Sequence, residues 1–296
     1  RAILLRARKL YEEAGGVLDE TWEPFLLRFL IAHRWVLNAA AVEQLQNTAR
    51  WRERLGVSAL RRRIRDDELR FVELPAVTET IRHCIFLPAL HRSYEGDTVS
   101  YLFLGTLDVP AWLVAITDEE YGHYNVAVVE LFSYLNDQRS VAEGRLVRTV
   151  YVQDCAGLGG KHPQDILRGC RRLQPWLNLN DLYYPEMFSR VLITNAPWLF
   201  YLIWRFVSPF LSAELQAQVS ILSPRETAAT LKALAPLEEL PTAVAGGGGQ
   251  SAVMPLGVSR LLGFTRLDAA VFDSLLVRQP ESRGGLAATY GIPREE

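Results

Sequence analysis

The sequence is poor in the residues that build disulfide frameworks and metal clusters. Only three of its 296 residues are cysteines, Cys84, Cys155 and Cys170. Their odd number and wide spacing form neither a disulfide framework nor a zinc motif. We therefore expect reduced thiols and a cytoplasmic protein. Because the first residue is Arg1 and not methionine, a targeting segment upstream would not be seen in this sequence.

Long hydrophobic runs and a strong charge of one sign are missing as well. A transmembrane helix needs about 20 consecutive apolar residues. The nearest candidate, Val191–Trp204, contains Asn195 and Pro197 and is followed by Arg205. The formal net charge of −2 gives no general attraction to nucleic acid, so no nucleic-acid partner is predicted.

Familiar catalytic and metal-binding motifs are absent. The sequence has no G-x-S-x-G elbow, H-E-x-x-H pair, Walker lysine or G-x-G-x-x-G fingerprint. Cys155 follows a predicted strand and is interpreted as a small buried hydrophobic residue instead of a nucleophile. The histidines are scattered singly, so no metal site is predicted. They are His33, His83, His91, His123 and His162. These absences favour a binding protein over an enzyme.

Residues 1–65 are predicted to form an N-terminal helical lobe. Apolar residues from Leu26 onward recur at the spacing of a helix. Thr21 and Asn38 are placed where helix N-caps are expected. The charged run that begins at Arg61 is interpreted as a solvated face or a link to the next domain.

Residues 70–248 are predicted to form an α/β domain. The expected strands are Ile85–Leu90, Val99–Leu107, Val147–Asp154 and Val191–Asn195, and the expected helices are Asp118–Asn136, Gln164–Leu177 and Trp198–Leu211. A turn at Glu95-Gly96 predicts that the first two strands form a hairpin. Alternation of strands and helices afterwards predicts a mixed, largely parallel sheet. Residues 249–296 follow a run of glycines and are interpreted as a C-terminal extension.

One segment is apolar on nearly every side. Trp198–Leu211 reads W-L-F-Y-L-I-W-R-F-V-S-P-F-L and follows Pro197, a residue suited to the start of a helix. Large apolar side chains contribute about 1.5–3 kcal/mol each when buried, so a helix of this kind must cover more than one face. It is either a fully buried core helix or a movable lid over a hydrophobic ligand that also tolerates a bilayer.

Several segments, in this order, resemble the CRAL-TRIO family of lipid-binding proteins, which includes the phosphatidylinositol/phosphatidylcholine transfer proteins. The segments are L-L-R-F-L-I-A-H-R-W (Leu26–Trp35), A-R-W-R-E-R-L-G (Ala49–Gly56), V-R-T-V-Y-V-Q-D-C-A-G-L (Val147–Leu158), Y-Y-P-E-M-F-S-R-V-L-I-T-N-A-P (Tyr183–Pro197), S-P-F-L (Ser208–Leu211) and E-L-P-T-A-V-A-G-G (Glu239–Gly247). The resemblance covers about residues 20–250.

The resemblance implies a sheet that floors a hydrophobic pocket and a gate helix, Trp198–Leu211, that covers it. Such a protein binds a phospholipid or another hydrophobic ligand and exchanges or presents it at membranes, as a monomer that associates peripherally with them. The expected pocket and gate residues are Tyr101, Phe103, Val150, Val152, Ile193, Trp198, Leu199, Phe200, Ile203, Trp204, Val207 and Phe210. Two alternatives are a carrier of a tocopherol or retinoid and a protein-interaction scaffold with a degenerate pocket.

The resemblance also implies where a lipid headgroup would bind. In the phosphoinositide-carrying members a basic pair, a glutamate and a lysine hold the headgroup. Here the pair falls on His33 and Arg34, the glutamate on Glu186, and the lysine position on Gln218. Lys161 follows the strand near which the choline-lipid members place hydroxyl groups, and it could meet a phosphate. An alternative for Arg34 and Glu186 is an ordinary contact between the two lobes.

Overall fold

The computed structural model of the protein describes residues 1–66, 80, 85–236 and 240. The C-terminal extension proposed for residues 249–296 lies outside these residues. The same holds for the E-L-P-T-A-V-A-G-G segment, apart from Leu240.

The N-terminal region is helical, as predicted. Asn38 caps a helix, because its Oδ1 accepts a hydrogen bond from the backbone N–H of Ala41 at 2.9 Å. Thr21 also stands at an N-cap, but its hydroxyl donates to Asp19 and leaves the helix end without a side-chain cap. The helices are α1 (Ala2–Glu13), α2 (Trp22–Ala32), α3 (Ala39–Arg54) and α4 (Val57–Arg65).

A five-stranded sheet follows, and its spatial order is the order of the sequence. The strands are β1 (Ile85–Arg92), β2 (Thr98–Phe103), β3 (Thr149–Asp154), β4 (Phe188–Thr194) and β5 (Val219–Ile221). β1 pairs antiparallel with β2 across a turn in which Gly96 has a φ of 86°, and the other pairs are parallel. The predicted α/β fold class is therefore confirmed. β5 has three residues and was too short to predict.

Helices connect and cover the strands. They are α5 (Val109–Ala115), α6 (Asp118–Glu143), α7 (Pro163–Leu173), α8 (Leu179–Tyr183), α9 (Phe200–Val207), α10 (Ala213–Gln218) and α11 (Pro224–Leu234). A capping box of Thr117 and Glu120 starts α6, and Gly144 in the left-handed conformation ends it. The segment predicted as the gate helix contains α9 followed by a 3₁₀ turn, Ser208–Phe210. No helix within the described residues is long and apolar enough to cross a bilayer.

One face of the sheet, which we call the closed face, is filled by the protein's own side chains. It is formed by Val99, Tyr101, Phe103, Val150, Val152 and Leu192, which are at most 3% exposed. Helix α11 is held at both ends. The backbone N–H of Asn195 donates to the hydroxyl oxygen of Thr227, and that of Tyr94 donates to the carbonyl oxygen of Leu234. Its Leu231 and Leu234 belong to the same hydrophobic core.

The opposite face, which we call the open face, is only partly covered. Phe132 of α6 contacts Tyr151 and Phe188, whose rings stack with centroids 5.6 Å apart. Leu102, Tyr151 and Gln153 remain partly exposed, although their strands β2 and β3 have a neighbour on each side. Partial exposure in the middle of a sheet means that there is space above this face.

Buried ion pairs attach the helical lobe to α6. Arg52 forms two hydrogen bonds with Glu130, at 2.8 and 2.9 Å, and Arg61 contacts Glu130 at 3.0 Å and Asp137 at 2.8 Å. Arg28 also pairs with Asp137. The interpretation of the charged run as a solvated link is therefore wrong for Arg61, which is 7% exposed.

Candidate functional site

A pocket of about 190 Å³ opens where the helical lobe meets the amino end of β4, and we call it the polar pocket. The end of α2, the segment that leads into β4, and α10 all contribute to its lining. Three of the predicted headgroup residues, His33, Glu186 and Gln218, line it together. Arg34 and Lys161 are not among its lining residues.

His33 is held in the polar pocket by Gln44 of α3. The Nε2 atom of Gln44 donates to the carbonyl oxygens of Asp181 and Leu182, at 2.7 and 3.0 Å. The amide oxygen of Gln44 is therefore left as the acceptor for His33 Nε2, which lies 2.5 Å away. His33 Nε2 is consequently the donor in this hydrogen bond, and the contact fixes the ring at the pocket wall.

Glu186 forms an ion pair with Arg148 at 2.8 Å. Its φ of 55° is unusual for a residue with a side chain and costs about 1–2 kcal/mol. The alternative in which Glu186 contacts Arg34 is wrong. Arg34 is exposed in the turn after α2, where both Arg34 and Trp35 have a positive φ.

Hydrogen-bond acceptors dominate the wall of the polar pocket. Asp181, Glu186 and Glu214 line it, while His33 is the one basic side chain among its described lining residues. Asn180 also lines the pocket, and its buried Oδ1 atom has no hydrogen-bond partner among the described residues. The Gln218 position, which would carry a lysine in phosphoinositide-carrying proteins, adds no charge. A phosphate group would find no fixed cation on these walls.

Lys161 lies at the other end of the sheet. It follows the 3₁₀ turn Leu158–Gly160 after the carboxyl end of β3, whereas Glu186 precedes the amino end of β4. The two strands are parallel and in register, so the length of a strand, roughly 15–20 Å, separates the two residues. Lys161 and Glu186 therefore do not bind one headgroup together.

Four of the predicted pocket residues lie on the closed face. Tyr101, Phe103, Val150 and Val152 contact the protein's own core there. Ile193 lies on the open face, 3% exposed. The residues that border the space are Leu102, Tyr151 and Gln153. The sequence does not identify them, because alternation shows that the other face of β2 and β3 is the more apolar one but not whether a ligand or the protein's own core covers that face.

The predicted gate segment has a buried side and an exposed side. Leu199, Phe200 and Ile203 are buried, and Trp204 and Val207 are half-buried. Trp198 is 75% exposed and Phe210 39%. Tyr201 and Leu202 add exposed apolar surface. The segment is therefore not a fully buried core helix, and its movement as a gate stays a prediction.

The carboxyl end of β3 carries groups with raised pKa values. Burial raises the pKa of Asp154, which accepts hydrogen bonds from Thr194 at 3.0 Å and Asn195 at 2.6 Å. Burial also raises the pKa of the Cys155 thiol to about 12 and that of Cys170 to about 11. Both thiols stay protonated at neutral pH, and the prediction that Cys155 is buried is confirmed.

The family model for the CRAL/TRIO domain matches residues 83–247, more than half of the sequence. The chain belongs to the CRAL/TRIO domain family. The resemblance seen in its motifs is thus confirmed, and the domain is of the lipid-binding type that the resemblance implies.

Individual relatives are distant. A CRAL-TRIO domain-containing protein of Saccharomyces cerevisiae is 28% identical over 250 residues, covering 83% of this chain and 75% of the yeast protein. The SEC14 cytosolic factor of Candida glabrata is 27% identical over 247 residues, covering 81% and 75%. The Protein real-time of Anopheles gambiae is 26% identical over 219 residues. That match covers 73% of this chain, but the chain spans only 30% of the Anopheles protein.

A solved structure shows the same fold. The crystal structure of Sfh5 superimposes with a TM-score of 0.54 at 15% sequence identity, over 80% of this chain and 75% of Sfh5.

Proposed function

We propose that this protein carries one lipophilic molecule in the space above the open face and exchanges it at membranes. The observation that supports this most is the partial exposure of Leu102, Tyr151 and Gln153 in the two inner strands β2 and β3. Exposed apolar surface costs about 25 cal/mol per Å², and a hydrocarbon chain placed against it would recover that free energy.

Helix α9 would be the gate through which the ligand passes. Phe200 and Ile203 of α9, together with Leu199 directly before it, are buried in the core, while Trp198 and Leu202 face outward. A helix with apolar residues on both sides can exchange contacts with the core for contacts with lipid at modest cost. This supports a transient membrane association of the kind predicted from the sequence.

The polar end of the ligand would lie in the polar pocket. The acceptors there, including the carboxylates of Asp181 and Glu214 and the unpaired Oδ1 of Asn180, suit a group that donates hydrogen bonds, such as a hydroxyl or an ammonium group. A phosphorylated inositol fits poorly because the described walls offer no lysine or arginine. The pocket therefore favours a ligand whose polar end carries hydroxyl groups, including a non-phospholipid ligand such as a tocopherol or retinoid, over a phosphoinositide.

Binding without catalysis is part of the proposal. Cys155 and Cys170 are buried thiols with raised pKa values, and Asp154 is bonded to Thr194 and Asn195. None of these groups is presented as a nucleophile or a free base. A cytoplasmic location is also proposed, since the related Candida protein is named a cytosolic factor.

Lipid extraction tests the carrier function. The purified chain should yield about one lipophilic molecule per protein when extracted with organic solvent and analysed by mass spectrometry. The emptied protein should take up labelled lipid from vesicles and deliver it to acceptor vesicles. A chain that is empty after purification and takes up no lipid would contradict the proposal and favour the scaffold alternative.

The role of α9 is tested by removing outward apolar side chains from the helix and from the segment directly before it. Trp198→Ser combined with Leu202→Ser should slow lipid exchange between vesicles about tenfold or more, because each side chain loses about 1.5–3 kcal/mol of apolar transfer free energy. The folded protein should keep its stability, since both side chains are exposed. Val17→Ser removes a similarly exposed side chain in the segment between α1 and α2 and should leave exchange unchanged. Equal exchange rates in the Trp198/Leu202 double variant and the Val17 variant would contradict the gate assignment.

A further inference from the structure

Exposed apolar side chains border the polar pocket, and we call this set the apolar rim. Trp35 and Val36 are each 54% exposed, Leu182 is 44% exposed and Phe210 39%. Trp35 is two residues from His33, Leu182 is adjacent to Asp181, and Phe210 is two residues from Ser212. Since His33, Asp181 and Ser212 line the pocket, Trp35, Leu182 and Phe210 lie within about 7 Å of chain length from its edge, and Val36 lies within about 11 Å.

The turn after α2 holds Trp35 outward. Arg34 and Trp35 have φ values of 52° and 63°, a conformation that usually requires glycine. The turn is closed by the backbone N–H of Trp35, which donates to Leu30 at 2.6 Å, and by that of Val36, which donates to His33 at 3.0 Å. The exposed indole is therefore fixed by its backbone next to the pocket and does not fold back onto the lobe.

A cation accompanies the exposed indole. Arg34 is exposed, and its guanidinium forms no ion pair with any residue in the described ranges. Tryptophan prefers the interface between lipid headgroups and acyl chains, and arginine pairs with lipid phosphate. An indole beside an arginine, next to Val36, Leu182 and Phe210, has the composition of a surface that contacts an anionic bilayer.

We propose that Arg34, Trp35 and Val36 form a second membrane-contacting element, which together with Leu182 and Phe210 seats the mouth of the polar pocket on an anionic lipid surface. This inference rests on the proposed carrier function. The helical lobe would then contact the membrane in addition to the gate helix. The polar end of a ligand would then pass between the pocket and the headgroup layer without crossing water.

Vesicle sedimentation tests this element. We expect Trp35→Ser with Val36→Ser to weaken binding to phosphatidylcholine vesicles containing phosphatidylserine about tenfold. Val17→Ser, in the segment between α1 and α2, should bind as the wild type does. Arg34→Gln should weaken binding to these vesicles and leave the weak binding to pure phosphatidylcholine unchanged. Equal binding of the Trp35/Val36 double variant and the Val17 variant would overturn the proposal.

A second variant separates docking from folding. Trp35→Gly fits the positive φ, so the melting temperature should be retained while vesicle binding falls. A variant that melts at a lower temperature yet binds vesicles normally would assign Trp35 a structural role and overturn the proposal.

Lipid content measured after extraction distinguishes a failure of the carrier function from a failure of the second membrane contact. Empty wild-type protein whose vesicle binding still depends on Trp35 would contradict the carrier function alone. Lipid-loaded protein that binds vesicles equally well with and without the Trp35 side chain would contradict the second membrane contact alone.

Discussion

The interface between the helical lobe and α6 differs from the region around the polar pocket and α9 in how its groups are paired. At the interface, Arg52, Arg61, Glu130 and Asp137 are nearly inaccessible to solvent, and each has an ionic partner. Around the pocket and α9, the side chains are apolar or hydrogen-bond acceptors, and many are partly exposed.

This difference indicates that the interface between the lobe and α6 stays fixed, whereas the region around the polar pocket and α9 can exchange its contacts. Buried charges tolerate little displacement, because a lost partner leaves an unpaired charge. Apolar surface can exchange one contact for another. Tyr184 joins the two regions, since its hydroxyl donates to Glu130 at 2.6 Å and its ring lines the polar pocket. Trp51 stacks on the neighbouring Tyr183 with ring centroids 4.1 Å apart. The lobe thereby positions the Tyr-Tyr-Pro-Glu segment that forms the pocket wall.

Removing one charge at the interface should have the largest effect. Arg52→Ala leaves Glu130 buried with one guanidinium fewer and is expected to lower the free energy of unfolding by about 3–5 kcal/mol. Arg54→Ala, on the exposed side of the same helix, should change it by less than about 0.5 kcal/mol. Urea unfolding followed by circular dichroism measures both. Similar losses in the two variants would contradict the role of the interface as the fixed part.

Acid should weaken the same interface. Burial alone would raise the pKa of Glu130, but Arg52 and Arg61 hold it at about 2, below its ordinary value of 4.5. Because its pKa is lowered, ionised Glu130 stabilises the fold fully above about pH 5. This stabilisation is lost as the pH falls towards 2 and the carboxylate is protonated. The shift corresponds to about 3 kcal/mol. Unfolding measured between pH 5 and 2 should show the loss, and Glu130→Gln should flatten the profile. A wild-type profile as flat as that of the variant would contradict the assignment.

Larger side chains introduced on the two faces of the sheet should distinguish the filled closed face from the open face. Their effect on stability should be smaller than that of removing a charge at the interface. Val152→Phe on the closed face should cost about 1–3 kcal/mol of stability, because no space is available there. Leu102→Phe on the open face should leave stability nearly unchanged and reduce lipid uptake. Thermal melting and uptake from vesicles measure the two effects. Comparable destabilisation by both substitutions would show that the open face is filled as well.

Much of the fold was predictable because its signals are local. The N-cap at Asn38, the hairpin turn at Gly96 and the β-branched strands rest on short-range chemistry, and the structure confirms them. Of the predicted headgroup residues, His33, Glu186 and Gln218 meet in one pocket. The errors concern faces and partners. Arg61, predicted to face solvent, is buried, and Val150 and Val152, predicted to line a pocket, are buried in the protein's own core.

The sequence by itself determined the helical lobe, the first four strands and the apolar segment around α9, since caps, periodicity and turn residues act over a few positions. Only the tertiary structure decided which face of the sheet is filled. The alternation in β2 and β3 shows which face is the more apolar one, but it does not show whether the protein's own core or a ligand covers that face. It also decided that Glu186 pairs with Arg148 and that Arg61 is buried against Glu130. Such pairings join residues far apart in the chain, and only the packing of α4 against α6 and of β3 beside β4 brings them within hydrogen-bond distance.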